Sequence, residues 1–148
     1  MPVIWVLNGP NLNLLGTRQP ELYGAMTLGE IEAQLCADGR ARDAEVRCFQ
    51  SNHEGVIVDR IQEAHGRAHG LIINPAAYTH TSLVIADALA AVDLPAIEVH
   101  LTNLFRREPE RQRSRSAAAC LGVICGLGGQ GYRLALAALL DHLKEGKR

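Results

Sequence analysis

Five times along 148 residues a short apolar run gives way to a stretch with helical spacing, and this alternation constrains the fold more than any other feature. Val3 to Leu7 is a continuous apolar run, the pattern of a strand buried on both faces. From Thr27 the apolar residues Leu28, Ile31 and Leu35 recur at helical spacing, and Thr27-Leu28-Gly29-Glu30 has the form of a capping box. Ala44 to Phe49, Gly70 to Asn74, Ala96 to Leu101 and Cys120 to Cys125 read as the other strands. Ser51-Asn52-His53-Glu54 repeats the capping-box form and opens a helix carrying Ile57, Ile61, Ala64 and Ala68 on one face. Thr81 or Ser82 caps a helix through about Val92, and a last helix from about Gln130 to Lys144 aligns Tyr132, Leu136, Leu140 and Leu143. Such alternation demands right-handed crossovers and a parallel sheet covered on both faces. The expectation is an α/β, flavodoxin-like three-layer sandwich with a five-stranded parallel sheet, in a single catalytic domain spanning residues 1–148.

Charge and cysteine usage narrow the function. Lys and Arg total 15 against 16 Asp and Glu, a net charge of −1, so no global field draws the chain to nucleic acid or to an anionic membrane. No apolar run approaches the ~20 residues needed to span a bilayer. The amino terminus enters structure without a basic, cleavable leader pattern, and a cytoplasmic location is expected. Cys36, Cys48, Cys120 and Cys125 lack CxxC spacing and read as buried thiols of a reducing compartment. The only lysines are Lys144 and Lys147, both in a polar tail. A Schiff-base enzyme needs a lysine desolvated in a pocket. Carbonyl chemistry here must run without an imine.

In a doubly wound sheet ligands bind beyond the carboxyl ends of the strands, and the segments there are unusual. About 18 residues separate the first strand from the first helix, far beyond the usual two to six or so of such a loop. Arg18 and Tyr23 sit near its end, and Tyr23 reads either as a functional phenol or as a ring that pins the loop. Asn74 to Ser82 places an amide, an imidazole (His80) and hydroxyls before a helix; it suits a hydroxylated anion, and equally a capping loop. Glu98 and His100 share one face of a strand, so the carboxylate can orient the imidazole and favour its protonated form. A structural pair or a metal pair fits the same spacing, but a third ligand is missing. Arg106 to Arg115 holds five arginines, suited to a carboxylate ligand or to solvent. Gly126-Leu127-Gly128-Gly129-Gln130-Gly131 is a literal GxGxxG, yet no strand ending in Asp or Glu follows, so close packing or a tight turn is expected in place of a dinucleotide site.

Together these segments resemble the type II 3-dehydroquinases from first strand to last helix. The motifs are Asn8-Gly9-Pro10-Asn11-Leu12-Asn13-Leu14-Leu15-Gly16 with Arg18 and Tyr23-Gly24; Gln50 to Gly55; Asn74 to Ser82; Glu98-Val99-His100; and Gly126-Leu127-Gly128 with Gly131-Tyr132. The resemblance implies dehydration of 3-dehydroquinate to 3-dehydroshikimate in the shikimate pathway, by anti elimination through an enolate and without metal or cofactor. It implies Tyr23 as base, Arg18 as the group that holds it ionised, Asn11 as the residue positioning a water, and His100 as acid oriented by Glu98. Asn74, His80, Arg111 and the amides of Leu101 and Thr102 would bind substrate, with Arg107 in support. Asp87 would reach a neighbouring subunit, in trimers assembled into a dodecamer. Physical magnitudes agree with the pairing: ionising a free tyrosine at pH 7 costs about 4 kcal/mol, and one arginine about 4 Å away at an effective dielectric near 20 supplies about as much. Thr102, Ala86, Pro109-Glu110 and Arg115 depart from the residues usual in that family.

Overall fold

A computed structural model describes residues 1–17, Glu21 and residues 26–146. Five strands, β1 (Val3–Asn8), β2 (Glu45–Gln50), β3 (Gly70–Asn74), β4 (Ala96–His100) and β5 (Gly122–Cys125), form one sheet in the order β2-β1-β3-β4-β5. Every pairing is parallel. This is the flavodoxin-like order, with its reversal of direction between β1 and β3. The described helices are α1 (Leu28–Arg40), α2 (Glu54–Ala64), α3 (Leu83–Val92) and α4 (Gln130–Lys144).

Strand alternation sorts the core into two layers. Ile4 and Val6 of β1, Ile72 of β3 and Val99 of β4 pack with Ile31 and Leu35 of α1 and with Tyr132, Leu136 and Leu139 of α4. Trp5, Leu7, Leu71 and Ile73 point the other way, against Ile57 and Ile61 of α2 and Ile85 and Leu89 of α3. The central strands β1, β3 and β4 are buried almost throughout, as their continuous apolar runs require, while β2 and β5 are more open.

Helix starts follow the capping chemistry in two cases and depart from it in a third. Thr27 Oγ1 accepts from the Glu30 amide at 3.1 Å to open α1, and Ser82 Oγ accepts from Ile85 N at 3.0 Å to open α3. Before α2, however, Ser51 Oγ accepts from His53 N, and the cap residue is His53 without a side-chain bond. The reason lies in the neighbouring loop: Asn52 Oδ1 accepts from Asn11 N (3.0 Å) and Gln50 Nε2 (3.2 Å), so this segment anchors the turn after β1. Ala68, expected on the α2 face, lies past the helix end but remains buried. The cysteines differ from expectation as well. All four are free thiols but only half-buried; for Cys48 and Cys125 the reason is that β2 and β5 are the sheet's two edges.

Candidate active site

The chain reverses direction at the carboxyl ends of β1 and β3, and the crevice this leaves is closed down by backbone contact. Gly9 N donates to Asn74 O at 2.8 Å, and a Cβ at Gly9 would stand 2.5 Å from the Pro75 carbonyl oxygen. Only glycine allows β1 to turn away at that distance. Asn11 follows with φ 69°, in the left-handed region that asparagine tolerates, and starts a one-turn 3-10 helix, Leu12–Leu14.

A cavity of about 120 Å³ opens here, lined by Pro10, Asn11, Leu12, Leu14 and Leu15 after β1, Asn74, Ala76, Ala77 and His80 after β3, and His100, Leu101, Thr102, Leu104, Arg107 and Arg111 after β4. Asn11, Asn74, His80, His100, Leu101, Thr102 and Arg111 are thus brought together as the sequence led us to expect. Glu98 stands directly behind His100. Asp87 does not line this cavity and is exposed on α3. Arg18 and Tyr23 lie outside the described residues.

Glu98 is fully buried and His100 nearly so, 2.8 Å apart between Glu98 Oε2 and His100 Nε2. Ser114 Oγ donates to the same oxygen at 2.8 Å, and Ser116 Oγ donates to Oε1. Burial pushes the Glu98 carboxyl up, but the bonds from His100 and Ser116, the imidazole's charge and the bond from Ser114 outweigh it, and Glu98 titrates below its ordinary 4.5. An ionised carboxylate only accepts, so Nε2 carries the proton it shares with Glu98. His100 therefore has Nδ1 left for exchange with a ligand.

The remaining polar groups are equally constrained. His80 Nδ1 meets the Arg113 carbonyl at 2.6 Å, and since a carbonyl only accepts, that nitrogen bears a proton. Arg107 Nη1 donates to Thr102 Oγ1 at 3.1 Å, and Arg111 is ion-paired with Glu108 on the cavity rim. Two cations beside an imidazole at the end of a covered sheet suit a small, hydroxylated carboxylate. Among the described residues no three His, Cys, Asp or Glu side chains converge as metal ligands.

A family model described as dehydroquinase class II matches residues 2–140. The chain belongs to the class II dehydroquinases. It is similar to the 3-dehydroquinate dehydratase of Ruegeria pomeroyi, 53% identical with all of both chains covered, and to the catabolic 3-dehydroquinase 1 of Aspergillus terreus, 51% identical over 96% of this chain and 93% of that one. The crystal structure of the type II dehydroquinase from Butyrivibrio crossotus superposes with a TM-score of 0.92 at 43% identity, covering 94% of this chain and 97% of that one.

Four residues that hydrogen-bond to the residues of this site were given no role of their own in the sequence reading. Ser114 and Ser116 lie 16 and 18 residues beyond Glu98 among arginines, with no periodicity to tie them to it. Asn52 reads as part of a helix cap. Tyr132 reads as core, since its ring sits on an apolar helical stripe. The available signal was Asn8, a polar residue ending an apolar strand and needing a partner.

Proposed function

We propose that the chain dehydrates 3-dehydroquinate to 3-dehydroshikimate, as a hydro-lyase of the shikimate pathway working without metal, cofactor or imine. The observation that carries the reading is the buried Glu98–His100 pair opening onto a cavity that also holds Asn74, His80 and Arg111. Full-length identity to 3-dehydroquinate dehydratases supports it.

The base removes the C2 proton, the electrons pass into an enolate, and their return expels the C1 hydroxyl, which leaves as water with a proton from His100. His100 delivers this proton from Nδ1 while Nε2 stays bonded to Glu98. Solvent takes up the proton held by the base and returns one to the imidazole, while Glu98 keeps the ring oriented between turnovers. Tyr23 is the base and Arg18 the guanidinium that holds it ionised, both assigned by family resemblance. Asn11 positions a water near the enolate oxygen; Asn74, His80, Arg111 and the amides of Leu101 and Thr102 take the substrate's hydroxyls and carboxylate. Asp87, exposed on α3, serves a neighbouring subunit in a dodecamer of trimers. The location is cytoplasmic, and 3-dehydroquinate is the partner, with no nucleic acid or membrane.

Lys144 is exposed near the far end of α4, which suits an imine-free route. The test is ultraviolet detection of the enone formed from 3-dehydroquinate by the purified chain, with borohydride added in a parallel sample. Turnover with no covalent adduct is expected. Absence of enone formation, or a reduced adduct on lysine, overturns the reading.

A further inference from the structure

We propose that Tyr132 is a positioning residue whose buried hydroxyl locks the Asn74 carboxamide in the orientation that the Ala76 amide selects, and so holds in place the donor and the acceptor that Asn74 offers to substrate. The inference rests on the dehydratase reading for its substrate, but its geometry stands apart from it.

The orientation follows from counting hydrogens. Ala76 N–H stands 3.0 Å from one end of the Asn74 carboxamide. A backbone N–H only donates, so that end is Oδ1, and Nδ2 must face the other way, toward the Tyr132 hydroxyl at 2.9 Å. Having accepted there, the hydroxyl spends its single proton on Asn8 Oδ1 at 2.6 Å. The reversed Asn74 carboxamide would set Nδ2 against the Ala76 N–H, donor against donor. Asn74 is left with one N–H and one lone pair for the cavity it lines.

Two features mark the network as more than core satisfaction. Asn8 Nδ2 is buried and has no hydrogen-bond partner among the described residues, a cost that a plain apolar contact would not incur. Ala76, whose amide sets the whole orientation, has φ 54°, in the left-handed region that side-chain-bearing residues rarely adopt. An unpaired donor and a strained backbone thus flank the same side chain. Burial pushes the phenol of Tyr132 up, against the opposing bond from Asn74, so it stays neutral and acts as a hydrogen-bond hub without carrying protons.

The glycine-rich segment before α4 finds its role in this device. Gly126 N donates to His100 O at 3.2 Å and Gly128 N to Leu101 O at 3.0 Å. Gly126 has φ +90°, which favours glycine, and a Cβ there would crowd Asn103 at 3.1 Å. The turn fixes the start of α4 to the end of β4. Tyr132, in the first turn of α4, therefore sets Asn74 in register with His100.

The experiment is Tyr132→Phe, which keeps the ring and deletes the hub. KM for 3-dehydroquinate should rise about 5- to 10-fold, the loss of roughly one hydrogen bond, with kcat changed less. In an Asn74→Ala background the same change should add less than about twofold, because the residues act as a unit. Additive effects, or an unchanged KM, overturn the proposal. A readout independent of turnover separates its failure from that of the dehydratase reading: the Asn74 side-chain amide protons, followed by nuclear magnetic resonance, should exchange slowly in the native chain and fast in Tyr132→Phe. Equal exchange in both overturns the proposal, whatever substrate the chain takes. Should Tyr132→Phe not fold, Asn8→Ala removes only the far acceptor. It should leave Asn74 protected and raise KM by less than twofold or so; loss of protection there would contradict the assignment.

Discussion

The two ends of the sheet spend their polar groups differently. At the carboxyl end and in the segments beyond it sit the described polar side chains that are buried: Asn8, Asn74, Thr79, Ser82, Glu98, His100 and Ser116. At the amino end, Arg42 and Asp141 form an ion pair in solvent at 2.6 Å, with side-chain exposures of 38% and 66%. Stability alone favours the second arrangement, because a buried charge or amide must recover its lost hydration through fixed partners. A fold that concentrates polar groups at one buried edge is carrying them for chemistry. The sheet's reversal between β1 and β3 explains why the edge is this one.

Breaking the buried pair should have the largest effect. Glu98→Ala leaves His100 facing empty space and Ser114 and Ser116 without their acceptor, and should cost about 3–5 kcal/mol of stability. Chemical denaturation checks this, and a loss under about 1 kcal/mol would mean the carboxylate is not structurally embedded. Ser116→Ala removes one bond to a charged group and should cost less, about 1.5–3 kcal/mol, with kcat falling because Glu98 no longer steadies His100 as firmly. Thermal melts beside steady-state kinetics would expose a serine that alters neither.

Acid should separate the two ends without mutation. Since Glu98 is held below 4.5 in the folded chain, its ionised form contributes stability that is fully present above that pH and is lost as pH falls through the lower folded value. Wild-type stability should decline on acidification below about 4.5, and Glu98→Gln should flatten that part of the curve. An unaltered acid slope in Glu98→Gln would assign the decline to other groups. The smallest effect belongs to the amino end: Arg42→Ala should cost about 0–1 kcal/mol, shrinking further in high salt, with turnover unchanged.

The contrast between the ends also marks what was legible in the sequence. Strand and helix patterning follows from local periodicity, and α4 runs from Gln130 to Lys144 as its apolar stripe requires. Glu98 and His100 were legible as a pair because strand geometry alone puts alternate residues on one face. What joins them was not. Ser116 reaches Glu98 only because the chain folds back after the 3-10 turn Pro109–Arg111, and no local spacing encodes that return. The Tyr132 hydroxyl was hidden for a different reason: its ring satisfies the helical stripe, so the polar tip adds nothing to the pattern. Arg18 and Tyr23 were legible from the length of the loop after β1 and from the resemblance, and they lie outside the described residues.

If this buried polar edge performs the elimination, turnover of 3-dehydroquinate must collapse in His100→Ala. Ser114 and Ser116 still donate to the Glu98 carboxylate when the imidazole is removed, so the variant should keep its circular dichroism spectrum and fold. The expected kcat is lowered by at least ~10²-fold, as for loss of a general acid. A folded His100→Ala enzyme that forms the enone at near wild-type rate would contradict it.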